Sequence, residues 1–350
     1  MKVNLKIGDL KPKLPIIQGG MGVGVSLSSL ASAVANCGGI GVISGAQIGF
    51  REKDFAKNPL EANKRALTEE IRKAKEMAPN GIIGLNLMVA MENYDEFVKI
   101  AVKEKIDLII SGAGLPLDLP ALVKGSNVKI VPIVSSLRAA KLIMRRWMKR
   151  DSRLPDAIVV EGPLAGGHLG FSKEELVNKT SQSLTEIVIE LVDHLKEEEL
   201  DIPVIGAGGI YDVKDIKEVI DAGASGVQIA TRFVATYECD ASDGFKQAYI
   251  QSKEEDIKIM MSPVGLPGRA LENEFLKSVE TGAKVKIDKC YNCISKCNPA
   301  ETPFCITKAL VDSVEGRTEE GLVFVGAKAY MLDKMVSVKE LMKEFEQAFE

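Results

Sequence analysis

The chain has 350 residues, of which 46% are hydrophobic and 27% charged, and these shares are ordinary for a soluble globular protein. This composition excludes a disordered chain, a collagen and a coiled coil, and the formal charge of −4 gives no electrostatic case for binding nucleic acid. No apolar run approaches the roughly 18 residues that span a bilayer. The first residues, MKVNLKIGDLKPKL, lack the apolar segment of a signal peptide, so we expect a cytoplasmic protein with no membrane partner.

Short apolar segments alternate with longer amphipathic ones over the first 235 residues. Most of the short segments are continuous runs of Val and Ile, which is typical of strands buried on both faces of a parallel sheet. The predicted strands are 15–21, 39–46, 81–87, 108–114, 129–136, 157–162, 203–209 and 226–233. The predicted helices are 28–37, 58–77, 93–105, 137–150, 183–198 and 212–222. Eight strands alternating with helices predict an α/β fold of the (β/α)8 TIM barrel type, with a doubly wound sheet as the alternative.

Glycine clusters stand where four of the predicted strands end. They are QGGMGVG at 18–24, SGAG at 111–114, EGPLAGGHLG at 161–170 and GAGG at 206–209. In a barrel, the carboxyl ends of all strands meet at one face, and their loops build the active site. Glycine there lets the backbone approach a ligand closely. The clusters therefore favour the barrel and predict a binding site at this face.

The pattern changes after residue 235. The stretch 262–275 is turn-rich and then helical, and 335–349 has the periodicity of an amphipathic helix. We therefore expect a barrel over residues 1–240 and a smaller cap or lid over 241–350, which contains a Cys-rich segment at 290–305.

The chain has two histidines with different surroundings. His194 lies in the amphipathic pattern ELVDHLKEEE and is expected at the surface. His168 directly follows Ala-Gly-Gly on the loop after the strand AIVVEG, where an imidazole is well placed as a base or hydrogen-bond donor. Loops after strands seven and eight commonly bind phosphate in this fold, which predicts a phosphate-bearing cofactor.

Five segments carry a resemblance to a known family. In chain order they are PIIQGGM, GLNLMV, EGPLAGGHLG, PVIGAGGI and GVQIATRFVATYEC. Together they resemble the nitronate monooxygenase (2-nitropropane dioxygenase) family, which also contains the FMN-dependent enoyl-acyl-carrier-protein reductase II enzymes. The resemblance covers about residues 8–275. Two positions depart from the usual family pattern, since Leu164 replaces an acidic residue and Ala230 replaces a glycine.

The resemblance implies a TIM barrel that holds FMN non-covalently, with His168 as the catalytic histidine. The residues implied to lie against the flavin ring or in the same pocket are Gln18, Gly19, Gly20, Met21, Asn86 and Met88. Those implied to approach the flavin and its ribityl chain are Glu161, Gly166 and Gly167. Those implied to hold the phosphate are Ala207, Gly208, Gly209, Gln228, Ile229, Ala230 and Thr231.

Four of the six cysteines fall within sixteen residues, in the segment CYNCISKCNPAETPFC. The four are Cys290, Cys293, Cys297 and Cys305. Four thiolates so close in sequence predict a metal site, either a [4Fe–4S] cluster or a zinc ion, with unligated thiols as the alternative. The spacing is similar to that of the cluster loop of some anaerobic flavin-dependent barrel reductases.

Three functions are consistent with these features. The first is an oxidoreductase of the nitronate monooxygenase type, which oxidises small alkyl nitronates with oxygen. The second is an NAD(P)H-dependent enoyl thioester reductase, for which the basic run 138–153 would receive an acyl carrier protein. The third is a flavin or cluster protein that relays electrons without a substrate of its own. The oligomeric state stays open, with a homodimer as one expectation.

Overall fold

The computed structural model describes residues 4–282, 284–295 and 297–350. Its strands are β1 (Ile16–Gln18), β2 (Ile40–Ser44), β3 (Ile82–Met88), β4 (Leu108–Gly112), β5 (Lys129–Val134), β6 (Ile158–Glu161), β7 (Gly167–His168), β8 (Val204–Ala207), β9 (Gly226–Ile229), β10 (Ile257–Met261) and β11 (Pro267–Leu271). The order β1-β2-β3-β4-β5-β6-β8-β9 closes into a barrel, in which β9 pairs in parallel with β1. The predicted TIM barrel is confirmed, and closure excludes the doubly wound sheet.

The barrel interior is filled by alternate side chains of its strands. They form one apolar cluster that includes Ile17, Val42, Ile110, Val131 and Val159, and all five are essentially inaccessible to water. The strand residues that point outwards pack against the helices, which is why both faces of these strands are apolar. The continuous Val and Ile runs of the sequence therefore have a direct structural cause.

Helices follow the barrel strands and continue into the later part of the chain. The described helices are α1 (Ser28–Asn36), α2 (Pro59–Met77), α3 (Tyr94–Lys103), α4 (Leu119–Leu122), α5 (Leu137–Asp151), α6 (Lys173–Asn178), α7 (Leu184–Glu197), α8 (Val213–Asp221), α9 (Thr231–Val234), α10 (Asp243–Ile250), α11 (Glu274–Glu280), α12 (Ile306–Val314) and α13 (Val338–Glu346). Barrel strands are contacted by helices that include α1, α2, α3, α5, α7 and α8, whereas α6 packs on β10. Capping boxes begin α7 at Ser183 and α8 at Asp212. Within the described ranges, no helix combines the length and the apolar character that crossing a bilayer requires.

Three predicted elements differ clearly from the structure. The strand predicted at 15–21 ends at Gln18. The strand predicted at 226–233 ends at Ile229, because α9 begins at Thr231. The stretch 262–275 contains strand β11, and helix begins only at Glu274. The boundary predicted at residue 240 falls in the connection between α9 and α10.

A second, small sheet lies outside the barrel. Its order is β10-β11-β7, and both pairings are antiparallel. The strand β7 comes from the loop after β6, whereas β10 and β11 come from the later part of the chain. This sheet therefore joins the loop that carries His168 to the segment beyond residue 256.

The last helix, α13, fastens the end of the chain to the barrel. It packs against α1, α8 and α9. The buried guanidinium of Arg232 in α9 donates to both carboxylate oxygens of Glu344 in α13, at 2.9 and 2.8 Å. The same guanidinium lies over the ring of Tyr211, 4.5 Å from its centroid. The end of the chain is thereby tied to the short helix that follows β9.

Candidate active site

A cavity of about 260 Å³ opens at the carboxyl ends of the barrel strands. The structure brings all but one of the predicted flavin residues to its wall, together with His168. These wall residues are Gly19, Gly20, Met21, Asn86, Met88, Glu161, Gly166, Gly167, Ala207, Gly208, Gly209, Gln228, Ile229, Ala230 and Thr231. Residues that are distant in the sequence therefore surround one space, as the closure of a barrel requires.

Gln18 is the predicted residue that does not line the cavity. Its side chain is fully buried, and its Oε1 accepts a hydrogen bond of 3.0 Å from the amide N–H of Val42. Its Nε2 donates to the carbonyl oxygen of Gly19. The side chain thus braces β1 against β2 beside the cavity wall.

Glycines form much of the wall because side chains would not fit there or would fill the space. Gly208 and Gly209 have φ angles of +93° and +80°, in the left-handed region that favours glycine. A Cβ atom at these positions would lie 2.9 Å from that of Ala165 and 2.7 Å from that of Leu164, respectively. At Gly167, with a φ of +69°, a Cβ atom would meet no atom within 4 Å. A side chain at Gly167 would therefore project into open space at the cavity wall.

One buried acceptor in the wall has no partner. The Oε1 atom of Gln228, on β9, is buried and receives no hydrogen bond from the part of the chain that the structure describes. A buried polar atom without a partner costs about 1–3 kcal/mol, so such an atom is typical of a site that a ligand completes. The orphaned acceptor therefore marks this wall as ligand-binding.

His168 lies on β7 and lines the cavity. Its hydrogen-bond partner comes from the segment outside the barrel. Its Nε2 is 2.7 Å from the hydroxyl oxygen of Ser262, and its ring packs edge-on against Phe324 with centroids 4.9 Å apart. Burial lowers the pKa of His168 to about 4. The imidazole is therefore neutral at physiological pH and can accept a proton.

Glu161 ends strand β6 at the same wall. Burial raises the pKa of its carboxyl group to about 7, because the charged form is poorly solvated there. An acid and a base with displaced pKa values therefore share one cavity, which is a common arrangement in active sites.

The later part of the chain contributes residues that were not predicted from the sequence. Tyr249, Ser313 and Phe324 line the cavity, and Ser262 holds His168. Ser262 lies in the turn-rich stretch SPVG, where no pattern distinguishes a functional hydroxyl from a turn residue. These contacts depend on long-range folding, and the sequence carried no signal for them.

Arg269 is a second residue that the sequence analysis left without a role. Its guanidinium is buried and donates to the carbonyl oxygen of Ala165, directly before the two glycines and His168. Burial lowers the pKa of Arg269 to about 10. A basic residue within the strand-like segment PGRAL was a signal that could have drawn attention to it.

A second cavity, of about 800 Å³, is lined by all four clustered cysteines: Cys290, Cys293, Cys297 and Cys305. Burial and the charges of neighbouring thiols raise the pKa of the last three of them. Among the described residues, no three His, Cys, Asp or Glu side chains converge closely enough to hold a single metal ion. The cysteines of the chain are all free thiols.

The basic run of the sequence forms α5, and part of it is neutralised. Arg150 pairs with Asp118 and, at 2.9 Å, with Asp151. Arg145 and Arg146 are exposed, and within the described ranges neither forms an ion pair. These two arginines remain available to an anionic partner.

Comparison with known proteins gives consistent relatives. The sequence profile described as nitronate monooxygenase matches residues 4–347. The (3aS,4S,5R,7aS)-5-hydroxy-7a-methyl-1-oxo-octahydro-1H-indene-4-carboxyl-CoA dehydrogenase of Rhodococcus jostii (strain RHA1) is 26% identical over 272 residues, which cover 78% of this chain and 66% of that enzyme. A probable nitronate monooxygenase of Staphylococcus saprophyticus is 28% identical over 303 residues, covering 79% and 81% of the two chains. The solved structure of FabK from Thermotoga maritima matches with a TM-score of 0.75 at 25% identity, over 97% of this chain and 93% of that one.

Proposed function

Because the chain belongs to the nitronate monooxygenase family of oxidoreductases, we propose that it binds FMN and oxidises alkyl nitronates with oxygen. The observation that carries the proposal is the position of one neutral imidazole, His168, at the wall of a glycine-lined cavity. The substrate in this proposal is a small molecule that enters the same cavity.

The residues of the cavity fit FMN. The unpartnered Oε1 of Gln228 matches the N–H group at the polar edge of an isoalloxazine ring. The backbone at Gly208 and Gly209, with the hydroxyl of Thr231, supplies the kind of donors that a phosphate group needs. The open space beside Gly167 is a place that any other residue would fill. When bound, FMN would supply the two-electron chemistry of the reaction.

The chain's own residues then have separate tasks. His168, which is neutral, can remove the carbon proton of a nitroalkane to give the nitronate, or donate a ring N–H to a nitro oxygen, and the hydroxyl of Ser262 fixes the orientation of its ring. The apolar side chains of Met21, Met88 and Phe324 line the same space and exclude water from it. The assignment of a base at this position follows from its burial and its place in the wall.

The test uses the two histidines as a matched pair. His168→Ala should lower turnover of the parent nitroalkane by at least about 100-fold, because its carbon proton must be removed and a positioned base contributes roughly that much. His194→Ala, in α7, should leave turnover unchanged. Both variants should contain as much FMN as the wild type, measured by absorbance after release. A wild type without flavin, or equal turnover in His168→Ala, would refute the proposal.

A second function is an NAD(P)H-dependent enoyl thioester reductase. Two observations favour it: the similarity to a carboxyl-CoA dehydrogenase, and the exposed Arg145 and Arg146, which form no ion pair with any residue that the structure describes. In this case NADH or NADPH would be the electron donor, and an acyl carrier protein would dock on α5. Stopped-flow mixing of anaerobic protein with NADH, NADPH or an alkyl nitronate identifies the donor, because the true donor bleaches the flavin fastest.

Docking on α5 has its own test. The double reversal of Arg145 and Arg146 to Glu should weaken turnover of acyl-carrier thioesters but spare small thioesters. A control double reversal of Lys214 and Lys217, which are exposed on α8, changes the charge equally and should spare both. Equal losses with both substrate types would contradict docking on α5.

The proposal also covers the compartment. All cysteines of the chain are free thiols, and disulfides are rare in reducing compartments. We therefore place the enzyme in the cytoplasm.

A further inference from the structure

The second cavity gathers thiols that the proposed flavin reaction does not use. Cys290, Cys293 and Cys297 lie on the segment between α11 and α12, and Cys305 stands at the N-cap position of α12. All four line the same cavity, although fifteen positions of chain separate the first from the last. Folding therefore returns Cys305 to the three thiols that precede it.

The chain makes a tight turn between the first two cysteines. Asn292, between Cys290 and Cys293, has a φ of +47°, which is unusual for a residue other than glycine. This turn directs the amide N–H of Asn292 to the sulfur of Cys290, at 3.4 Å. Hydrogen bonds from amides to sulfur stabilise thiolates and are one of the ways in which proteins tune bound clusters.

The segment is held in place by the barrel. The amide of Glu92 donates to the carbonyl oxygen of Cys293, and the amide of Ser295 donates to that of Ala90, each at 3.1 Å. The same cavity is also lined by the start of α2 and by Phe97 of α3. The thiols therefore lie against a fixed wall and not on a free loop.

The spacing of the thiols favours a polynuclear centre over a single ion. A zinc ion bound by four cysteines needs each sulfur about 2.3 Å from the metal, so that the sulfurs nearly touch. Among the described residues, no such convergence exists, and all four thiols instead line one cavity of about 800 Å³. An iron–sulfur cluster spaces its ligands more widely, because iron and sulfide ions lie between them.

We propose that Cys290, Cys293, Cys297 and Cys305 bind an iron–sulfur cluster. The site is outside the flavin cavity but shares one structural support with it. Helix α12 follows Cys305, its N-cap residue, and carries Leu310 and Ser313 to the wall of the flavin cavity. The cluster would therefore also fix the part of the later chain that covers the flavin.

The experiment measures metal content and does not depend on the flavin reaction. The full chain is purified without oxygen and assayed for iron, acid-labile sulfide and zinc. We expect about four irons and about four sulfides per chain, and a paramagnetic resonance signal after reduction with dithionite. Zinc without iron, or failure to take up iron and sulfide on reconstitution with ferrous iron and sulfide, would overturn the proposal.

Serine variants assign the ligands. Each of Cys290→Ser, Cys293→Ser, Cys297→Ser and Cys305→Ser should lose at least half of the iron and change the resonance signal. The control variants Cys37→Ser and Cys239→Ser, at the other two cysteines, should keep both. Cys290 is exposed, so its variant should fold normally and keep its FMN. Unchanged iron in Cys290→Ser and in the other three ligand variants would overturn the assignment.

Discussion

The half-buried carboxyl of Glu161 should make the protein less stable as the pH rises, and Glu161→Gln should remove this effect. The folded protein raises the pKa of this group from 4.5 to about 7. Between these values the folded state binds more protons than the unfolded state, so the free energy of unfolding falls with increasing pH. Each unit of pKa difference corresponds to about 1.4 kcal/mol. Above pH 7, the full shift therefore lowers the free energy of unfolding by at most about 3 kcal/mol.

The measurement compares flavin-free wild type and Glu161→Gln by denaturant unfolding at pH 5 and pH 8. Trp147 is the sole tryptophan and is fully buried, so its fluorescence reports unfolding directly. In the wild type, the shifted pKa lowers the free energy of unfolding by about 1 kcal/mol at pH 5 and about 3 kcal/mol at pH 8. The free energy of unfolding of the variant, relative to that of the wild type, should therefore rise by roughly 2 kcal/mol from pH 5 to pH 8.

His168 provides a counterpart of opposite sign. Its pKa is lowered to about 4, so below pH 6.5 the unfolded state binds the extra proton and the folded state loses stability. Relative to the wild type, His168→Gln should gain about 2 kcal/mol when the pH falls from 8 to 5. If both variants keep a constant difference from the wild type across this range, the described burial of the two groups is wrong.

Three further substitutions test other contacts. Gly167→Ala should reduce FMN affinity at least about tenfold in a fluorescence titration, whereas Gly125→Ala, also at positive φ with open space around it, should not; equal affinities would show that position 167 does not face the cofactor. Gly41→Ala should destabilise by more than about 3 kcal/mol in denaturant unfolding, because its Cβ atom would overlap a backbone carbonyl of α1; a soluble variant of unchanged stability would contradict the packing. Glu344→Gln should cost about 1–2 kcal/mol by the same assay, because Arg232 is left buried with a weaker partner, and an unchanged midpoint would count against that ion pair.

The barrel could be predicted from the sequence because its strands are buried on both faces. Such burial leaves a continuous apolar run in the sequence at each strand. Runs such as AIVV and KIVPIV are almost wholly apolar, as strands buried on both faces require. Along the chain they alternate regularly with the helical segments. Glycines at positive φ, such as Gly208 and Gly209, were equally visible, since few other residues adopt that backbone. At such positions, the residue type alone indicates the burial or the backbone conformation that the structure requires.

The sheet outside the barrel could not be predicted in the same way. Its strand β7 has two residues, and it exists only because β11 pairs with it about one hundred positions later. Ser262 acquires its role through the same long-range contact. Gln18 shows the opposite error, because a residue next to two cavity glycines points instead to the neighbouring strand. Such details depend on side-chain direction and pairing, which periodicity does not contain.

Because β7 pairs with β11, the barrel and the sheet outside it contribute different parts of the candidate site. The residues that line the first cavity belong mainly to the barrel, whereas the imidazole of His168 lies on β7, which pairs with β11 outside the barrel. Changes in the length or sequence of β10 and β11 would move this imidazole while the barrel stays as it is. Substrate preference could therefore change in related chains while the barrel is kept. Residues 257–271 are the segment in which to begin engineering a new substrate preference.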